Sequence, residues 1–88
     1  MTAWVAEVRV MLKPSVNDPQ GLSIRNALRM LAFDVDDVRA GKLIRVTLNA
    51  ADRLSAEAAT TAMCEKLLAN PVIEAYSFSL SESPAPVP

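Results

Sequence analysis

From Trp4 to Lys13 the chain alternates, with Trp4, Ala6, Val8, Val10 and Leu12 apolar and Glu7, Arg9 and Lys13 between them. A period of two predicts a strand with one buried face. Val5 and Met11 make the other face partly apolar as well. Pro14 ends the run, and Asp18-Pro19 opens a helix reaching about Leu31. The carboxylate can accept free N–H groups of the first turn, and proline at the first helical position gives up no needed donor. Ile24, Ala27, Leu28 and Leu31 share one face, with Gln20, Arg25, Asn26 and Arg29 elsewhere. That stripe predicts an amphipathic helix covering a sheet.

Alternation returns from Val35 to Asn49, where Val38, Ala40, Ile44, Val46 and Leu48 share one parity and Asp37, Arg39, Arg45, Thr47 and Asn49 the other. Lys42 breaks the rule, because its parity aims an ammonium at the core. Fully extended, the stretch would span ~50 Å, too long for so small a domain. Gly41-Lys42 is therefore expected to be a bulge, bend or crossover that turns Lys42 outwards. A second helix is predicted over about Arg53–Ala69, capped by Asp52 or Ser55, with Ala56, Ala59, Met63 and Leu67 as its buried stripe. Asn70-Pro71 stops it, and a short strand follows from Val72 to Leu80. Residues 81–88, rich in serine and proline, have no core-forming pattern and are expected to be a disordered tail.

The order β-α-β(β)-α-β predicts one α+β domain over residues 1–80, an antiparallel sheet with two helices on one face, related to the ferredoxin-like arrangement. The second sheet face would carry Val5 and Met11, with Ile73 and Ala75 if strand parity places them there. Another copy could cover it, so a sheet-to-sheet homodimer, or a larger assembly, is expected. Trp4 reads as a strand-end core residue in preference to an interface anchor.

The 88 residues are 51% apolar and carry nine basic and ten acidic side chains, a net charge of −1. No basic block exists to neutralise phosphates, and aromatic residues are too few for stacking platforms, so nucleic-acid binding is not expected. Nothing in the first residues resembles a signal peptide, and no apolar run approaches membrane-spanning length. Cys64, the single cysteine, cannot form an intramolecular disulfide. The expected setting is the cytoplasm, away from membranes.

There is no histidine, which removes His-based triads, His metal ligands and the usual general base. Only two glycines occur, Gly21 and Gly41, too few for a P-loop or a dinucleotide-binding turn. Cys64, beside Met63, reads as a small buried hydrophobe. Asp34, Asp36 and Asp37 could in principle bind a metal, but so tight a run reads as a solvated turn. No catalytic, cofactor or metal residue is assigned, and the chain alone is expected to be inactive.

Three segments together resemble the PurS family, over roughly residues 4–80. They are Ser15-Val16-Asn17-Asp18-Pro19-Gln20-Gly21, Val38-Arg39-Ala40-Gly41-Lys42, and Met63-Cys64-Glu65-Lys66-Leu67-Leu68-Ala69-Asn70-Pro71-Val72-Ile73-Glu74. Asn17 and the proline-rich tail depart from the family's pattern. The resemblance implies a small subunit of phosphoribosylformylglycinamidine synthase. That enzyme is a ligase making formylglycinamidine ribonucleotide from formylglycinamide ribonucleotide, ATP and glutamine. It implies a subunit that dimerises, bridges a glutaminase and a synthetase subunit and helps to shield the ammonia path. ATP and Mg would sit on the synthetase subunit.

Candidate partner contacts are Asp18, Gln20, Gly21, Arg39, Gly41 and Lys42; Val5, Met11, Ile73 and Ala75 are the self-association candidates. Asp18 and Pro19 are already explained as a cap. Gly21, costly within a helix by ~1 kcal/mol against alanine, calls for close approach of a partner or an adjacent strand. Arg39 and Lys42 read either as solvated strand charges or as contacts to the synthetase subunit. The alternative function is an ACT-like regulatory domain that binds a small molecule. Its glycine-bearing loop after the first strand is missing here, where Pro14 to Pro19 contains no glycine.

Overall fold

The computed structural model describes residues 1–83. Strand β1 (Thr2–Leu12) occupies the centre of a three-stranded antiparallel sheet, between β2 (Gly41–Ala50) and β3 (Glu74–Glu82). Its even residues build the core in rows. Ala6 lies between Val46 and Leu80, and Val8 between Ile44 and Phe78. Trp4, Ala6, Val8 and Val10 are buried.

Helix α2 (Arg53–Met63) covers this face. Asp52 caps it, accepting from the Ser55 N–H at 2.8 Å. A π-helical turn over Cys64–Leu68 follows, with the Ala69 N–H donating to the Cys64 carbonyl at 3.1 Å. The wider turn inserts one residue into the helical spacing. The fully buried stripe runs Ala56, Thr60 and Cys64, with the expected Ala59 and Met63 partly buried beside it; past the π turn Leu68 packs on the core, while the expected Leu67 is 83% exposed. Buried Thr60 satisfies its hydroxyl by donating to the Ala56 carbonyl at 2.8 Å. Asn70 ends the segment through a turn in which its side-chain oxygen accepts from the Val72 N–H at 3.0 Å.

Helix α1 (Pro19–Met30) does not lie on the sheet. Gly21 is its only buried residue, Arg25 and Leu28 are half-buried, and Ile24, Ala27 and Leu31 face solvent. The α+β class and antiparallel sheet are as expected, but only α2 covers the sheet. The helix ends in a Schellman closure: Phe33 N–H donates to the Leu28 carbonyl at 3.0 Å, and Ala32 N–H to the Arg29 carbonyl at 3.0 Å. Ala32 carries the left-handed φ of 70° that glycine usually supplies there.

Two further expectations change. The stretch from Val35 to Ala40 is not strand, and β2 begins directly at Gly41 without a bulge, in register opposite Met11. Lys42 does keep the core-side parity, opposite Val10, but at the end of the sheet where the apolar rows stop. There its ammonium meets the Glu74 carboxylate at 3.7 Å and remains largely exposed. The other change is at the C-terminal side: Ser81 and Glu82, assigned to the tail, belong to β3, and Ser83 N–H donates to the Ala3 carbonyl at 2.9 Å. The rest of the expected tail, 84–88, lies outside the described residues.

The resulting shape is elongated, 51 × 29 × 18 Å, with a radius of gyration of 16.7 Å. A compact chain of this length would have about 12 Å.

Candidate functional site

The three stretches flanking the end of the sheet are tied into one knot. Asp18 sits at its centre, buried, with one carboxylate oxygen accepting from the Gly21 N–H at 3.0 Å and the other from the Ala40 N–H at 2.7 Å. Those two N–H groups, Gly21 first, hold its pKa below the ordinary carboxylate value, helped by the charge of Arg39 and opposed by burial. Arg39 donates from Nη2 to the carbonyls of Lys13 at 3.0 Å and Val16 at 2.9 Å, fastening the loop between β1 and α1. A Cβ on Gly21 would strike the Val38 carbonyl oxygen and approach Asp18 Oδ2 to 2.7 Å. The close approach that this glycine calls for is therefore made within the chain, by the backbone of Val38.

The six candidate partner-contact residues thus divide. Asp18, Gly21 and Arg39 are committed to internal contacts, and Arg39 is neither on a strand nor a freely solvated charge. Gln20, Gly41 and Lys42 remain at the surface, where Gln20 and Lys42 rim a concavity of mixed polarity, about 260 Å³, with Glu74. Gly41 has no left-handed φ. What requires a glycine is packing: a Cβ there would strike the Met11 sulfur and lie 2.6 Å from the Val10 carbonyl oxygen.

The self-association candidates also separate. Met11 and Ala75 are direct cross-strand partners on the open face. With Leu43 they line a shallow, apolar concavity of about 570 Å³. Val5 lies six residues from Met11, about 20 Å along the strand. Its neighbours are Thr47 and Ser81. Between the two, Glu7 pairs with Arg45 at 3.2 Å and Arg9 is exposed. Ile73 precedes β3, in the turn after Pro71. The open face is therefore apolar at one end and polar along most of its length. More exposed apolar material lies on and after α1, at Leu22, Ile24, Met30, Leu31 and Phe33. Of these, Ile24 and Leu31 belong to the helical stripe whose spacing was visible in the sequence; its exposure was not.

Reactive chemistry is sparse. Cys64 is buried, and burial, with the adjacent Glu65 charge, pushes its thiol pKa up, away from the reactive thiolate. Among the described residues no three His, Cys, Asp or Glu side chains converge as a metal site. No helix among them is long and apolar enough to cross a membrane.

Comparison with known proteins agrees with this picture. The family model PurS, phosphoribosylformylglycinamidine (FGAM) synthase, matches residues 5–82. The chain is 44% identical over 80 residues to the phosphoribosylformylglycinamidine synthase subunit PurS of Bacillus subtilis, covering 90% of this chain and 94% of that one. The corresponding Synechocystis subunit is also 44% identical over 80 residues, covering 90% of this chain and 80% of its own. Among solved structures, Thermus thermophilus PurS superposes with a TM-score of 0.85 at 37% identity, covering 93% of this chain and 99% of that one. A chain of PurLQS from Thermotoga maritima gives a TM-score of 0.83 at 31% identity, covering 94% of this chain and 100% of that one. The chain belongs to the PurS family of FGAM synthase subunits.

Proposed function

We propose that this chain is the small, non-catalytic subunit of a purine-biosynthetic amidotransferase. In this reading it self-associates and holds a glutaminase and a synthetase subunit together in the cytoplasm, with ATP and Mg bound by the synthetase subunit. Family membership over nearly the whole described chain is the observation that carries it. The residues agree: the chain contains no histidine, and its one thiol is buried. The ACT-like alternative is not favoured by the relatives.

The geometry supports a specific contact surface. The Asp18–Arg39 knot fixes the backbone at the sheet end, and the exposed Gln20 and Lys42, with half-buried Glu74, lie beside the apolar Met11–Leu43–Ala75 patch. A polar rim adjoining an apolar centre has the character of a protein interface. We assign this sheet end to the glutaminase and synthetase subunits. Co-purification of the three subunits tests the assignment. Wild-type chain should be retained with both partners. Leu43→Glu with Lys42→Glu should be lost from the complex while remaining folded. Retention of that variant at wild-type levels would remove the sheet end from the interface.

A further inference from the structure

Residues 19–40 form an arm that leaves the end of the sheet and returns to it at one point. Asp18 holds both ends of the arm there. One carboxylate oxygen accepts from the Gly21 N–H at 3.0 Å, where the arm departs, and the other from the Ala40 N–H at 2.7 Å, where it returns. Arg39 ties the return to the departure a second time, through the carbonyls of Lys13 and Val16. The Val38 carbonyl packs directly against Gly21 and completes the base.

Beyond that base, little joins the arm to the body. Helix α1 makes only marginal contact with the strands and with α2. Gly21 is its one buried residue, and Leu22, Ile24, Leu31 and Phe33 are exposed. The bonds that shape the outer arm are its own: Phe33 N–H donates to the Leu28 carbonyl at 3.0 Å, and Arg29 Nε to the Val35 carbonyl at 2.9 Å. The body is held differently. Strand β1 is paired on both sides, and Val8 and Val10 are buried beneath α2.

Segments with few buried apolar contacts open at a lower free energy than the whole chain. A helix as short as α1 is marginal by itself in water, so the base is what keeps it wound. We infer that residues 19–40 open and close as one unit on a body that stays folded, with the Asp18 carboxylate as the latch. Opening separates no apolar row of the core and breaks only the bonds of the base and of the arm itself. Asp18 is the latch because one carboxylate carries both ends: its release frees the first turn of α1 and the return to β2 together. The apolar stripe of α1 is displayed as a surface only while the arm is closed. The latch therefore sets the fraction of chains that present it.

Native-state hydrogen exchange, read amide by amide with every sample at one protein concentration, tests the inference. In wild type the amides from Ile24 to Leu28 should share one level of protection, about a hundredfold or more below that of Val8 and Val10. Their exchange should vary little with low urea, because opening the arm uncovers little surface. Val8→Ala should speed exchange in β1 by about tenfold or more and leave α1 unchanged. Asp18→Asn keeps one acceptor oxygen and can hold one end only, so exchange in α1 should rise by about tenfold or more. Should Asp18→Asn misfold, wild type and Val8→Ala decide alone. Equal protection of α1 and β1, or equal acceleration of both by Val8→Ala, would overturn the separate opening of the arm. Unchanged exchange of α1 in folded Asp18→Asn would overturn the latch.

Discussion

Helices α1 and α2 begin alike and end differently. Each is capped by an aspartate three residues before the N–H it accepts, and each carries an apolar stripe. Helix α2 turns its stripe onto the sheet, burying Ala56 and Thr60 and leading into buried Cys64. Helix α1 buries Gly21 alone and leaves Leu31 69% exposed. The cause lies in the connections. Asp52 follows β2 almost at once, which folds α2 back over the strands, whereas the Asp18–Arg39 knot anchors α1 beyond the end of β1. An apolar stripe thus states that a helix needs cover; the connections decide whether the chain itself can supply it.

The largest expected effect separates body from arm. Val8→Ala should cost about 2–3 kcal/mol of stability, because Val8 is fully buried at the centre of the core. Met30→Ala should stay within about 0.5 kcal/mol. Urea denaturation of the two variants checks this, and equal losses would abolish the distinction.

The knot should come next. Arg39→Ala removes two hydrogen bonds from a half-buried guanidinium and should cost about 2 kcal/mol. Arg39→Lys should recover little of it, since one ammonium cannot reproduce the planar fork. A loss near zero would return Arg39 to the ordinary surface charges.

Asp18 provides a pH test of the same knot. Its folded pKa lies below the ordinary value, so its carboxylate stabilises the fold above the unfolded pKa of ~3.9. That contribution is lost as the pH falls from there through the folded pKa. Asp18→Asn should therefore be less stable than wild type at neutral pH, with the gap closing in acid. A gap that stays constant between about pH 7 and the acid limit of folding would contradict the account.

A smaller effect of opposite sign is expected at the tip of the arm. Ala32→Gly relieves the left-handed backbone and should raise stability by up to ~1 kcal/mol, offset in part by the freer unfolded chain. Thermal unfolding measures it, and a lower melting temperature would show that Ala32 makes contacts worth more than its strain. Smallest is Lys42→Ala, within about 0.5 kcal/mol, since the ammonium is largely exposed and meets Glu74 only at 3.7 Å.

Local physics was readable from the residues. The alternation from Trp4 to Leu12 yields the central strand, and Asp18 and Asp52 cap the helices they precede. What escaped was decided by tertiary placement. Leu67 lost its buried position to Leu68 because a π turn adds one residue, which no periodicity announces. Lys42 kept a core-side parity without strain because the sheet ends there. Arg39 looked like a strand charge, yet its partners are carbonyls of the loop from Lys13 to Val16, a contact without a pattern in sequence. Gly21 was the exception: its cost within a helix pointed to a close approach, and Val38 makes it.

The central claim is that this chain contributes assembly and no chemistry of its own. The most direct measurement is glutamine-dependent amidotransfer by purified glutaminase and synthetase subunits, titrated with this chain. The account predicts little activity without it, restoration that saturates at a fixed ratio of subunits, and no glutaminase or ATPase turnover by the chain alone. Full activity of the two larger subunits in its absence, or turnover by the isolated chain that a point mutation in it abolishes, would contradict the account.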